Sequence, residues 1–144
     1  VLHMTDKKTV LVTGGAGMLG SWIAEKAVQR GGRVTVLDAM APDYGGNAFN
    51  LAGVRDRIRF VQGDIRDADL LAREVSRARV VFNLAAQVSY IDSNVDLFSD
   101  LDINCAGQIT LLEACREAGT RPRVVFASSR FVYGSLSPLL FESW

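Results

Sequence analysis

Residues 10–20 read Val10-Leu11-Val12-Thr13-Gly14-Gly15-Ala16-Gly17-Met18-Leu19-Gly20, an apolar β-forming run that leads into a glycine-rich turn. Glycine at these points permits a left-handed backbone, close approach of the chain to a ligand, and tight packing of a helix on a strand. Met18 and Leu19 open a helical pattern, so the turn delivers its ligand to a helix N-terminus. There, unpaired N–H groups and the positive end of the helix dipole favour phosphate. Gly15, Gly17 and Gly20 satisfy the G-x-G-x-x-G spacing of a pyrophosphate-binding turn.

Downstream, apolar periodicity alternates between short β-branched runs and longer amphipathic stretches, which is the sequence form of repeated βαβ units. Strands are expected at Thr9 to Thr13, Arg33 to Leu37, Ile58 to Val61, Arg79 to Asn83 and Arg123 to Ala127. Most are nearly all apolar, as befits parallel strands covered on both faces. Helices are expected at about Gly17 to Arg30, Ala68 to Arg77 and Ser93 to Ala118, with a weaker one at Asn47 to Leu51. Gly31-Gly32 stops the first helix, and Gly119 with Pro122 stops the last. Right-handed crossovers then give an α/β fold with a Rossmann-type doubly wound parallel sheet, five strands in the order 3-2-1-4-5. The sixth strand and a C-terminal substrate part are expected to be absent, which leaves one sheet edge uncovered. Residues 8–134 form the domain, residues 1–7 read as a tag or disordered terminus, and 135–144 as a loop or truncated tail.

The chain's 144 residues fit one domain; 49% apolar content excludes disorder, and 16 basic against 16 acidic side chains give no pull toward nucleic acid or an anionic membrane. No apolar run approaches the ~20 residues that span a bilayer, and no signal-peptide pattern is present. A cytoplasmic location is expected. Cys105 and Cys115, ten residues apart in a helical stretch, would lie ~15 Å apart and cannot bridge. One histidine and no Cys-x-x-Cys make no metal site expected.

Asp38 closes the second strand 18 residues beyond Gly20, the place for a carboxylate that accepts hydrogen bonds from the adenosine ribose hydroxyls. It would repel a 2′-phosphate, so NAD is favoured over NADP. Arg33 begins that strand rather than ending it, and does not reverse the preference.

Thr13-Gly14-x-x-Gly17-x-x-Gly20 resembles the signature of the extended short-chain dehydrogenase/reductases, the NAD-dependent nucleotide-sugar epimerase/dehydratase family. Further segments follow in the family's order: Gly63-Asp64-Ile65-Arg66-Asp67 after the third strand, and Asn83-Leu84-Ala85-Ala86-Gln87 after the fourth, where Asn83 stands in place of the commoner His. Asn104-Cys105-Ala106-Gly107 in the long helix and Ser128-Ser129-Arg130-Phe131-Val132-Tyr133-Gly134 complete the set. The likeness runs from Lys8 to Gly134. It implies that Gly14, Gly17, Met18, Leu19 and Gly20 hold the phosphates, that Asp64 and Ile65 contact adenine, and that Leu84, Ala85, Ala86 and Gln87 line the phosphate and nicotinamide ribose. Asp64 also has a plainer reading, as the cap of the helix near Ala68. Asn104 is expected to bind backbone. Ser129 matches the family's active-site hydroxyl, which would hydrogen-bond the reacting sugar oxygen.

The family's chemistry needs a Tyr-x-x-x-Lys pair, but Tyr44, Tyr90 and Tyr133 are followed four residues later by Ala48, Asn94 and Ser137, and the three lysines are Lys7, Lys8 and Lys26. The resemblance thus implies the NAD-binding part of an enzyme that oxidises and re-reduces a nucleotide-sugar hydroxyl, inactive alone, the pair lying beyond Trp144. The other reading is a stand-alone dinucleotide-binding regulatory module. Leu97, Leu101, Cys105, Ile109, Leu112 and Cys115 form an apolar stripe on the long helix. The resemblance implies a homodimer through this helix, around 93–118; burial of the stripe in the chain's own core is the alternative.

Overall fold

The computed structural model of the protein describes residues 8–42, 45–129 and 132. The expectations placed on Tyr44, Tyr133, residues 1–7 and the 135–144 tail lie outside the described residues. Five strands, β1 (Thr9–Thr13), β2 (Arg33–Asp38), β3 (Ile58–Gln62), β4 (Val80–Asn83) and β5 (Arg123–Phe126), form one sheet in the order β3-β2-β1-β4-β5. Every pairing is parallel, with Val12 beside Val36 on one flank and Phe82 on the other. The expected architecture and strand order are found, with β1 central.

Because successive side chains of a strand point to opposite faces, the apolar strands feed two cores. Val10, Val12, Val34 and Val36 meet α1 (Met18–Gln29) and a ten-residue 3₁₀ segment (Ala48–Arg57) through Ala24, Leu51 and Val54. On the other face Leu11, Leu37 and Val81 meet α2 (Ala68–Val75) through Leu71 and Val75, and α5 (Gly107–Glu117) through Leu111 and Ala114. The weak helix expected at Asn47 to Leu51 is thus the start of a longer 3₁₀ segment, which Asn47 caps by accepting from the Phe49 N–H at 2.9 Å.

The long helix departs from expectation. Instead of one element from Ser93 to Ala118 there is α3 (Tyr90–Val95), then α4 (Leu97–Leu101), a π turn (Asp102–Ala106) and α5. Asp96 supplies the break: its carboxylate accepts from the Ser99 N–H at 3.0 Å and the Ser99 hydroxyl, which caps a new helix rather than continuing the old one. The helix is also rotated so that the apolar stripe, for which pairing with a second copy and burial in the chain's own core were both open, lies mostly outside the core. Leu97, Leu101, Ile109 and Leu112 are exposed and Cys115 alone packs partly against the core, which is filled by Leu111, Ala114 and Ala118. Periodicity found the helix but could not tell which of two adjacent apolar rows faces the sheet.

This rotation has a measurable consequence: Leu111 is 0% exposed and its neighbour Leu112 is 54% exposed. Leu111→Ala should cost about 2–5 kcal/mol in denaturant unfolding. Leu112→Ala should stay within about 0.5 kcal/mol at concentrations too low for self-association. Equal losses would contradict the rotation.

Among the described residues β5 is an edge strand of the sheet, and its Val125 and Phe126 are exposed. No helix of the described residues is long and apolar enough to cross a membrane.

Candidate cofactor cleft

The carboxyl ends of β1, β2, β4 and β5 open onto a cleft of about 1020 Å³. In open α/β sheets the crevice at the carboxyl ends, where strand order reverses, is where ligands bind. Here that reversal lies at β1, between β2 and β4. A concavity of about 880 Å³ at the opposite end, lined by Arg33, Arg59 and Glu74, lies at the amino ends of the strands.

Thr13 ends β1, and Gly14 turns the chain with φ +64°, a conformation that L side chains rarely adopt. A methyl group there would meet the Leu84 carbonyl oxygen at 2.7 Å and the Ala85 nitrogen at 2.8 Å, so the turn is pressed directly on the segment after β4. Gly17 is the N-cap of α1 and offers no capping side chain, which leaves the first-turn N–H groups of Met18, Leu19 and Gly20 for an external acceptor. The Met18 and Leu19 side chains project outward along the cleft wall. This donor set, in a turn too tight for side chains, fits a pyrophosphate.

Asp38 is buried at the end of β2, and its carboxylate already accepts two backbone bonds: Ala16 N–H to Oδ2 and Met40 N–H to Oδ1, both 2.9 Å. It therefore ties the glycine turn to β2 while facing the cleft beside Gly46. Sequence reasoning missed a second tie. Ala16's carbonyl accepts from the Asn47 N–H at 3.0 Å and the Asn50 side-chain amide at 2.8 Å, so the 3₁₀ segment clamps the turn from behind. Nothing in local spacing announces a contact 34 residues apart.

Past β3, Asp67 rather than Asp64 caps α2, accepting from the Leu70 N–H at 2.9 Å. Asp64 is left at the cleft, where its carboxylate pairs with the Arg66 guanidinium at 2.6 Å and accepts from the Arg66 N–H. That hydrogen-bonded guanidinium holds the Asp64 carboxyl below the usual carboxylate range. Ile65 is buried in the core, with only its edge reaching the cleft.

The segment after β4, residues 84–89, has no regular structure and is held by side chains. Asn104 binds backbone, as expected: its Oδ1 accepts from the Gln87 N–H and its Nδ2 donates to the Gln87 carbonyl, both at 2.9 Å. The buried Thr13 hydroxyl donates to Asn83 Oδ1 at 2.7 Å and accepts from the Leu84 and Ala85 N–H groups at 3.3 Å. Asn83 Nδ2 donates to Gln108 Oε1, and Gln108 Nε2 donates to the Ala85 carbonyl at 3.0 Å. Gln108 was not singled out from the sequence. The legible signal was its position four residues after Asn104, a second amide at helical spacing from the first.

Ser128 and Ser129 follow β5 and line the same cleft, beside Phe126 and Val132. The strand order thus brings Gly14, Gly17, Gly20, Asp38, Asp64, Leu84 to Gln87 and Ser129 to one opening. Cys105 is exposed and Cys115 half-buried, both free; burial pushes the Cys115 thiol up.

The NAD dependent epimerase/dehydratase family matches residues 10–143. The chain is 42% identical over 130 residues to a dTDP-glucose 4,6-dehydratase of Mycobacterium tuberculosis, covering 88% of this chain and 38% of that protein. It is 38% identical over 128 residues to a UDP-glucose 4-epimerase of Mycolicibacterium smegmatis, covering 87% of this chain and 40% of the other. Among solved structures, a UDP-glucose 4-epimerase from Brucella ovis in complex with NAD superposes with a TM-score of 0.79 at 30% identity, over 92% of this chain and 39% of that one. The chain therefore spans about two-fifths of the length of the relatives it matches.

Proposed function

Since the chain belongs to the NAD dependent epimerase/dehydratase family, we propose that it holds NAD across the cleft and is the cofactor-binding part of an enzyme that oxidises and re-reduces a nucleotide-sugar hydroxyl. One observation carries this reading: an uncapped helix N-terminus behind a glycine turn, with the Asp38 carboxylate on its β2 side and the Ser129 segment on its β5 side. Met18, Leu19 and Gly20 would offer N–H groups to the pyrophosphate. Asp38 would face the adenosine ribose and disfavour a 2′-phosphate, and Asp64 with Ile65 would border the adenine. Leu84, Ala85, Ala86 and Gln87 would line the nicotinamide ribose. NAD held there would supply hydride-transfer chemistry. The Ser129 hydroxyl would hydrogen-bond the sugar oxygen and orient it. Nothing in the 144 residues provides the Tyr-x-x-x-Lys base.

The 144-residue chain alone is therefore expected to bind NAD without converting UDP- or dTDP-glucose. A polypeptide extended at its C-terminal end to the length of the relatives, with a Tyr-x-x-x-Lys, should turn over and should lose about 10²–10⁴-fold when that tyrosine is changed to phenylalanine. Turnover by the 144-residue chain, abolished by Ser129→Ala, would contradict the assignment. So would an extended protein that binds NAD and acts on no sugar, which is the behaviour of a regulatory module.

The exposed row of Leu97, Leu101, Ile109 and Leu112 supports pairing of α4 and α5 with a second copy. Light scattering at high micromolar concentration should show a dimer that Leu101→Glu dissociates. A strictly monomeric species would contradict the pairing.

A further inference from the structure

We propose that Gln108 is a positioning residue for the nicotinamide half of the cofactor, acting at a distance through Asn83 and the Ala85 peptide; this rests on the reading that the chain binds NAD. Gln108 does not itself line the cleft. Its amide instead closes a hydrogen-bonded circuit that joins the buried Thr13 and Asn83 to the half-buried Gln108 and Ala85. Thr13 donates to Asn83, Asn83 donates to Gln108, and Gln108 donates to the carbonyl of Ala85, whose N–H points back to Thr13. The Ala85 backbone is thereby fixed on both sides, its N–H from β1 and its carbonyl from α5. With Asn104 binding both the N–H and the carbonyl of Gln87, residues 84–87 are held by Thr13 at one end and by two side-chain amides beyond it.

The π turn makes this reach possible. It is wider than an α turn by about one residue and lies immediately before α5. Gln108 Nε2 stands within 3.3 Å of the Ile103 carbonyl, five residues back inside that turn, as well as 3.0 Å from Ala85. Asn104 lies in the turn and Gln108 just after it, so the local widening and the two amides that grip the loop coincide.

Its effect should be confined to one half of the ligand. Adenosine belongs to the β2 and β3 side, where Asp38 and Asp64 stand, and these carboxylates bond to Ala16, Met40 and Arg66 rather than to the members of the Gln108 circuit. Leu84 to Gln87 lie on the β4 side, across β1. Loss of Gln108 should therefore loosen the grip on the nicotinamide riboside and spare the adenosine.

The test compares NAD with 5′-AMP on the same 144-residue chain, by calorimetry for NAD and by NMR titration for AMP. Gln108→Leu should weaken NAD roughly ten-fold, the scale expected for leaving one buried partner unsatisfied. AMP affinity should stay within about two-fold. Gln108→Glu keeps the length but cannot donate to the Ala85 carbonyl, and should match Gln108→Leu; Gln108→Met serves where either variant folds poorly. Amide exchange at Leu84 and Ala85 in the free chain should quicken in each variant. NAD and AMP weakened by the same factor, or NAD unchanged, would overturn the proposal. Failure of the unmodified chain to bind NAD would instead overturn the reading on which it rests.

Discussion

Replacing Gly20 with alanine is expected to abolish NAD binding and to destabilise the chain by about 3 kcal/mol or more, as overpacking against rigid backbone does. The added methyl would lie deep inside contact distance of the Gly14 carbonyl oxygen and against the Gly15 α-carbon. Both neighbours are backbone, so no side chain can swing aside. Relief requires α1 to move off β1 or the turn to open, and either displaces the N–H groups that would meet the pyrophosphate. The paired measurement is denaturant unfolding and calorimetric titration with NAD. Gly53 provides the control, since nothing lies within 4 Å of a methyl group built there. Gly53→Ala should leave binding intact. A stable Gly20→Ala chain with ordinary NAD affinity would show that the turn is not a phosphate cradle.

Asp38→Ala should produce the second largest change, and it should act twice. In the free chain it strands the buried Ala16 N–H and removes the partner of Met40, at a cost of about 1–3 kcal/mol. In the presence of cofactor it would also remove the acceptor proposed for the ribose hydroxyls and the repulsion proposed against a 2′-phosphate. NAD affinity should fall and its advantage over NADP should narrow. A fall in stability with an unchanged NAD to NADP ratio would leave Asp38 as a tie between turn and strand, and would take it out of cofactor recognition.

The sequence foretold most where one local signal met one physical demand. The apolar runs at Thr9 to Thr13 and Arg33 to Leu37, joined by a glycine-stopped helix, fix a parallel pair, and the crossover rule orders the rest. Gly14, Gly20 and Asp38 were legible because a tight turn and a strand-end carboxylate leave marks at fixed spacing. What was not legible is the support behind them. Asn50 reaches Ala16, and Gln108 reaches Asn83, across 34 and 25 residues; such contacts depend on where the sheet order places distant elements. The rotation of α5 stayed open in the sequence for a related reason. Leu111 and Leu112 are equally apolar, and only the packing of α2 against α5 decides which is buried. Asp96 was readable as a helix N-cap with hindsight of its hydrogen bonds to Ser99, yet the surrounding apolar period hid the break.

The most direct test of the cleft is a thermal unfolding series of the unmodified chain with NAD, NADP and ADP-ribose at matched concentrations. NAD at 100 times its dissociation constant should stabilise the fold by about 2.7 kcal/mol, with NADP giving a smaller shift at the same concentration. No shift with any of the three, or a larger shift with NADP, would contradict the account.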